Sequence, residues 1–598
     1  MDQRGDRSLT NRIRRQDLER LIQTATGKLL PTRVLVGGRV LNVFTGELEL
    51  ADVALCGERI AYVGDLKNGG LQLPDSRRII DVTDKVLVPG YIEPHAHPFQ
   101  LYHPVTLAAE VLKGGTTTLI NDNLFFFTRM DPDHWSRLLE ELDRLPVKML
   151  WWARLDAQAH LSEESRFLFG GDRVSGELKR PSVVQAGELT DWTPLLEGEE
   201  SRTRWVGEVR ERGIRVEGHA PGASFRTLSR LAAAGVTGDH ESISAGEVLD
   251  RLRLGYMTTL RHSSLRPDLP KLIKGLLQWK GEIPWHRLML TTDGPTPPYL
   301  GRGFVDHALK TAMEAGCPPV RAYQMVTLNP AGYYRLDEHL GAIAPGRIAD
   351  INILSSLEEP VPELVVADGE PVADRRSLLC SFPEVDWAGY PTLNRRWRGW
   401  VRPEHLNELP RARGGKIPVL RLLNPVITKL EWRESPEGTR PNLPLDGEDL
   451  LVALADRDGK WITKALVRGF GRNIDGLVST YNGSEDLLLV GRNPAAMARA
   501  ANRALEQGGA ITWVQNGEEV YNLPLPLAGK TSLLPLSELI PRTEEFLRRM
   551  KEHDHPFHDP VYTFLFLSST HLPQVRLTAD GLMQIKEKKV LVPAERLN

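Results

Sequence analysis

Residues 86–100 read "VLVPGYIEPHAHPFQ". Three core-type residues, Val86, Leu87 and Val88, lead into a Pro89-Gly90 bend, and Glu93, His95 and His97 follow within a few positions. Residues i and i+2 of a strand share a face, so His95 and His97 can approach one ion together. The same spacing also suits a turn or a pair of packed core histidines. His-x-His alone does not choose among these readings. The choice rests on what the chain places at the ends of its other strands.

Upstream, residues 11–25 look like a polar helix within an N-terminal helical segment, 1–30. "RVLVGGRVLNVFTGELELADVALCGERIAYVG" then sets short β-branched runs between Gly-rich turns, the texture of a small β-sandwich. Downstream, residues 89–337 alternate apolar strand-like runs with amphipathic helix-like stretches. "GTTTLI", "VKMLWWARL", "SVVQAGEL", "IRVEGHA", "GVTGDHES", "YMTTLR" and "LMLTTDG" are the strands; "DHWSRLLEELDRL", "RTLSRLAAAG" and "AGEVLDRLRLG" are among the helices. Such alternation over about 250 residues predicts one (β/α)₈ TIM barrel. "GAIAPGRIADINIL" returns to short strands and can pair with the N-terminal β segment, so a split β domain of residues 31–88 plus 338–425 brackets the barrel. From 426 to 598 a fresh α/β pattern predicts a separate C-terminal domain, with "DLLLVG", "AITWVQ" and "VYTFLFLSS" as strands. "NPAAMARAANRALEQGG" is its helix, capped by Asn493.

Within the barrel region, five further chemistry-bearing residues fall where a strand becomes a loop. Glu188 ends "SVVQAGEL", His219 ends "IRVEGHA", His240 ends "GVTGDHES" with Glu241 beside it, and Asp293 ends "LMLTTDG". The C-terminal ends of barrel strands are where such folds carry active residues. Each of these residue types binds a divalent cation through N or O. Singly, each has a bland reading as a strand end, an Asp-Gly turn or a packed histidine. The ordered set His-x-His, Glu, His, His, Asp is hard to assemble from independent turns and reads as a metal site. "EHDHPFHDP", residues 552–560, is also His-rich, but it precedes a predicted strand and no complementary set follows, so it reads as a solvated loop.

A chain of 598 residues exceeds one ordinary core, so two to four domains are expected. A formal net charge of −3 leaves no electrostatic footprint for nucleic acid or an anionic membrane. The charged N-terminus lacks a secretory h-region, and no apolar run is long enough to span a bilayer. Three cysteines far apart, Cys56, Cys317 and Cys380, make no disulfide framework, which makes a cytoplasmic location the default.

The set resembles the amidohydrolase superfamily: "PGYIEPHAH" at the first barrel strand, histidines ending the fifth and sixth, an aspartate ending the eighth. It is more closely similar to adenine deaminases and adenine-deaminase-like proteins, through "GELTDWTP", "EGHAPG", "GDHES", "LRLGYMTTLR", "VTLNPAGYYRL", "GAIAPGRIADINIL" and "LPLPLAG", in order over nearly the whole chain. The resemblance implies two divalent metal ions, Mn²⁺ or Fe²⁺ with Zn²⁺ as a further option. His95, His97 and Asp293 would hold the more buried ion and His219 and His240 the other, with Glu188 as the bridging carboxylate. It implies hydrolytic deamination of adenine to hypoxanthine, Asp293 serving as general base and then acid. Glu241 is the candidate donor to the ring nitrogen, its alternative being a helix N-terminal acid. A small-molecule purine base or related heterocycle is the implied partner, and family members are often dimers.

The departures from the pattern are as informative. Adenine deaminases typically show Ile-Glu-Ser-Ser after the His-x-His segment, where this chain has "PFQLYHP"; a His-Glu pair where it has Asp122-Asn123; Thr-Asp-Asp where it has "TTDGPTPP"; and His-Asp-Ser-His where it has "YNGSED". The metal shell is intact while the substrate shell differs, which keeps another purine, a pteridine or a lactam open as substrate. Asp122 is a candidate substrate contact, and "WWARLDAQ" offers Arg154, Asp156 and Gln158 as others, or as a structural salt bridge. A non-catalytic small-molecule-binding protein on the same fold is the remaining alternative, and the complete ligand set argues against it.

Overall fold

The computed structural model describes residues 14–157, 167–410, 415–434, 448–484, 486–572 and 574–597. At its centre lies an eight-stranded parallel sheet whose strands neighbour one another in sequence order. We number them β1 (Tyr91–Ala96), β2 (Thr116–Asp122), β3 (Lys148–Ala153), β4 (Val183–Leu189), β5 (Arg215–Gly218), β6 (Gly238–Asp239), β7 (Met257–Arg261) and β8 (Leu288–Thr291). Nearly every residue in them is buried, as expected of parallel strands covered on both faces. Helices follow the strands, with starts written into the sequence. Asp131 caps Pro132–Leu142, Ser224 caps Phe225–Ala233 and Ser244 caps Ala245–Arg253. Ile92, Ile120, Leu150, Trp152, Val184, Met257 and Met289 form one apolar cluster with Tyr333 and Tyr334.

β8 comes back beside β1, which closes the predicted (β/α)₈ barrel. Glu93 bridges the seam: its carboxylate accepts from Thr291 Oγ1 at 2.5 Å, Thr292 N at 3.0 Å and Thr292 Oγ1 at 2.8 Å. Burial pushes this carboxyl up to about 7, with those bonds working the other way.

The opening stretch divides between two sheets. Val86–Pro89 lies between Arg39–Asn42 and Ile351–Leu354 in a seven-stranded sheet, pairing with the first in parallel and the second antiparallel. Strands from both sides of the barrel thus share one small β unit. Gly90 is the hinge to β1: a Cβ there would stand 2.3 Å from Thr117 Oγ1, so only glycine fits the crossing.

A nine-stranded sheet forms the body of the C-terminal segment, with helix Pro494–Glu506 packed on it and Asn493 accepting from Ala495 N and Ala496 N as its cap. This sheet begins at Ile417–Leu422, ahead of residue 426, because that strand pairs with Trp461–Arg468. One expected strand is a helix. "VYTFLFLSS" folds as Pro560–Leu567, with the Asp559 side chain on the first amides and proline in the first turn. An apolar run of eight lacks the periodicity to tell strand from helix, and the cap decides. Among the described residues, no helix is long and apolar enough to cross a membrane.

Candidate metal centre

Six residues from the ends of five strands converge at the mouth of the barrel. His95 lies in β1, Glu188 in β4, and His97, His219, His240 and Asp293 at or just beyond the ends of β1, β5, β6 and β8. Four overlapping groups of ligand atoms fall within 4.8 Å of one another: His95–His97–Glu188, Glu188–His219–His240, His95–Glu217–His240 and His240–Glu241–Asp293. Glu188 belongs to both the first and the second. Its Oε1 lies 2.5 Å from His219 Nδ1 and 3.5 Å from His240 Nε2. Asp293 Oδ1 lies 3.4 Å from His95 Nε2 and 3.3 Å from His97 Nε2.

Two observations test whether these residues fit a divalent cation. Neither ring nitrogen of His95 has a hydrogen-bond partner, and His240 Nε2 has none, although all three atoms are buried. Buried polar atoms are normally paired, and a ligand is the usual explanation when they converge. Second, with the histidines neutral, the form that ligates a metal, five carboxylates (Asp122, Glu188, Glu217, Glu241, Asp293) stand against two buried guanidiniums, Arg154 and Arg261. That negative excess suits a site for positive charge. Burial works to raise Glu188 and Asp293, yet Arg154 and the histidines around the first, and Arg261 and the histidines around the second, hold both well below the usual carboxylate range. The cluster fits a divalent metal site.

Two residues of this site were not singled out in the sequence. Glu217 accepts from His240 Nδ1 at 2.9 Å and lies 3.4 Å from His95 Nδ1. Burial opposes its ionisation, but His95 and His240 hold it down to about 2. A carboxylate on the far nitrogen of a ligating histidine fixes its tautomer and orientation. The signal was available: Glu217 precedes His219 by two residues, the same spacing as His95 and His97. Arg261 ends β7, a strand to which no functional residue had been assigned. One of its nitrogens donates to Glu241 Oε1 at 2.6 Å and also to Asp293 Oδ2.

Arg261 also bears on the charge of Glu241. Burial would raise that carboxyl, but Arg261, with His219, His240 and Arg266 behind it, brings it down to about 2. That favours the ionised form of Glu241, whose Oε1 accepts from Arg261.

The candidate substrate contacts are turned into the protein. Arg154 donates from Nε and Nη2 to Asp122 at 2.9 and 2.6 Å, and from Nη2 and Nη1 to the Glu188 side chain and carbonyl at 2.7 and 3.0 Å. Each guanidinium nitrogen thus has an acceptor within the protein. Asp122 takes His97 Nδ1 at 2.9 Å as well, so Asp122 and Arg154 touch two of the candidate ligands, His97 and Glu188. Asp156 accepts from Thr190 N, Thr190 Oγ1 and Asp191 N, and so holds the loop after β4. Gln158 lies outside the described residues. The sequence contained the right polar residues at strand ends but could not show which way they face.

Segment 552–560 is the other correction. Glu552, Asp554, Pro556 and His558 are solvated, but the segment is anchored at two points: His555 is buried with Nδ1 2.7 Å from Phe470 O of the C-terminal segment, and Asp559 Oδ2 accepts from Thr296 Oγ1 of the barrel at 2.7 Å. The two segments that depart most from the deaminase pattern also meet here, the Tyr481 hydroxyl of "YNGSED" donating to Gln100 Oε1 of "PFQ".

Comparison with known proteins agrees with this arrangement. Residues 86–372 match the amidohydrolase family, and residues 426–589 match the adenine deaminase C-terminal domain. The chain is 38% identical to "Putative adenine deaminase BH0637" of Halalkalibacterium halodurans, over 97% of this chain and 98% of that one. It is 31% identical to the adenine deaminase of Moorella thermoacetica, over 96% and 97% respectively. A barrel with His, Glu and Asp at its strand ends, followed by this particular C-terminal domain and alignable end to end with such relatives, belongs to the adenine deaminase family of amidohydrolases, which are hydrolases of C–N bonds.

Proposed function

We propose that the chain converts adenine and water to hypoxanthine and ammonia, breaking the bond from C6 to the exocyclic amine and forming one from C6 to oxygen. The observation that carries this reading is the convergence of His95, His97, Glu188, His219, His240 and Asp293 with unpaired buried ring nitrogens, in a chain similar to adenine deaminases over nearly its full length. We infer two ions, manganese or iron with zinc as a further option, because Glu188 is shared by two separate ligand groups. His95, His97 and Asp293 would hold one and His219 and His240 the other, with Glu188 between them. Bound divalent cations lower the pKa of water enough to supply hydroxide near neutral pH.

The protein's own groups supply the rest. Asp293 is ionised, with Oδ2 held by Arg261 and Oδ1 facing the histidines, so it can take the attacking water's proton and pass it to the departing amine. Glu241, also ionised, offers an acceptor to an N–H of the heterocycle. Asp122, Arg154 and Glu217 keep the ligands oriented and stay in place during the reaction. The site is buried, so few waters compete with the one that reacts.

A second reading, hydrolysis of another cyclic amidine or amide, is favoured by the mouth of the site. There Phe99, Gln100 and Tyr481 occupy the places where adenine deaminases carry other residues. Ammonia release from the manganese-loaded protein, measured across adenine, other purines, pteridines and lactams, separates the two. Adenine as the best substrate by kcat/KM supports the first, and release only from another ring replaces it with the second. A homodimer and a cytoplasmic location complete the proposal on the strength of the family resemblance, and light scattering of the purified chain tests the dimer.

A further inference from the structure

The Asp293 amide donates to Thr291 Oγ1 of β8 at 3.0 Å, and past it the loop leaves the barrel strands. Asp293 and Gly294 are both left-handed, with φ of 52° and 64°. A Cβ on Gly294 would stand 2.8 Å from His97 Cβ and Cδ2, so this backbone is pressed against a candidate ligand. The polar groups of the next residues are met from outside the barrel strands. The Tyr562 hydroxyl donates to Gly294 O at 2.6 Å, Tyr102 OH donates to Pro295 O at 2.9 Å, and Thr296 Oγ1 donates to Asp559 Oδ2 at 2.7 Å.

Two of these three partners, Asp559 and Tyr562, come from the C-terminal segment. They sit at the start of helix Pro560–Leu567, where the other Asp559 oxygen accepts from Val561 N at 3.2 Å and Tyr562 N at 3.4 Å. Both are buried, Asp559 at 2% and Tyr562 at 4% exposure. Beside them His558 Nε2 bonds the Ser264 carbonyl in the loop after β7. One helix start is thus fastened to the loop of β8 and lies against the loop of β7.

We propose that Tyr562 and Asp559 are positioning residues for Asp293, and that the C-terminal domain sets the Asp293 carboxylate through the backbone of residues 294–296. A buried carbonyl needs a partner. Without the Tyr562 hydroxyl the Gly294–Pro295 peptide has to turn toward another donor; the ring fixes φ of Pro295, so the turn is taken up at Gly294, the residue that follows Asp293. A reacting group displaced by about 1 Å loses on the order of 10²-fold in rate, so a partial displacement is felt strongly in kcat. The kinetic part of this inference rests on the deaminase reading; the structural part does not.

The test uses the full-length, manganese-loaded protein and three variants: Tyr562→Phe, Asp559→Ala and Asp559→Asn. Tyr562→Phe and Asp559→Ala are expected to lower kcat about 10-fold or more while KM stays within about two-fold. Asp559→Asn keeps the capping oxygen and can still pair with the Thr296 hydroxyl, so it is expected to behave as wild type. In Tyr562→Phe, which leaves the Asp559 cap in place, amide hydrogen exchange is expected to quicken in the peptide spanning 288–300 and nowhere else in the barrel, with the melting temperature unchanged within about 2 °C. Wild-type kcat and wild-type exchange in Tyr562→Phe would overturn the inference. So would a loss of protection spread over helix 560–567 and the whole barrel, which marks a merely structural contact. If the wild type releases no ammonia from any purine, the deaminase reading fails, and exchange in peptide 288–300 still decides the positioning role.

Discussion

Arg261→Met removes a guanidinium that two buried carboxylates share. One nitrogen of Arg261 donates to Glu241 Oε1 at 2.6 Å and to Asp293 Oδ2, and Glu241 is 3% exposed, so solvent screens little of the interaction. Burial raises Glu241 and Arg261 leads the groups that pull it down from 4.5 to about 2. A fall of that size corresponds to about 3 kcal/mol. It agrees with the roughly 3–5 kcal/mol that breaking a buried ion pair costs when one charge is left behind. Methionine fills the volume but leaves Glu241 and Asp293 facing each other as like charges. For a barrel-sized unit a loss of about 3 kcal/mol predicts a melting temperature lower by about 6–12 °C at pH 7 without metal, and less with manganese bound, because cations compensate the same carboxylates.

The sign of the pH dependence is a second check on the same variant. A carboxyl held below its unfolded value contributes stability that is complete above about pH 4.5 and is lost as the pH falls toward about 2. The gap between wild type and variant therefore narrows over that window. Calorimetric scans of both proteins, with and without manganese, measure it. A metal-free Arg261→Met that melts within about 2 °C of wild type at pH 7 would show that Arg261 does not hold the two carboxylates, and the ionised role given to Glu241 would fall with it.

Three further outcomes are expected. Glu217→Gln, which weakens the acceptor on His240 Nδ1, lowers metal affinity about 10–100-fold in competition against a chelator, and unchanged affinity refutes the role given to Glu217. Asp293→Asn folds normally but loses at least about 10²-fold in kcat, and full turnover would rule out the proton shuttle. His103 and His555 are both pushed down to about 4 by burial. Histidines depressed in this way stabilise the fold above about pH 6.5 and lose that contribution as the pH falls toward about 4, so the urea midpoint declines through that window. His555→Phe flattens the decline, and a midpoint already flat in wild type between pH 6.5 and 4 contradicts both assignments.

The elements that read correctly in the sequence share one property: their signals are local. Alternating β and α runs, caps such as Asn493, and the switch from apolar strand to loop at His95, Glu188, His219, His240 and Asp293 are all decided within a few residues. The residue types at those switches have a chemistry of their own. The order of the barrel strands and the location of the candidate centre therefore follow from the chain alone.

What remained undecided depended on residues distant in sequence. Arg154 faces Glu188 rather than a substrate because β3 and β4 are neighbours in the sheet and both residues are buried at the strand ends. Glu241 is pushed toward its ionised form because Arg261 arrives from β7, twenty positions on. "VYTFLFLSS" is a helix because Asp559 caps it, and that same carboxylate reaches across 263 positions to Thr296. A sequence determines which groups are available and on which kind of element they ride. Charge state, hydrogen-bond direction and the contact between two domains depend on distances of a few ångströms between segments far apart in the chain, and only the tertiary structure sets those.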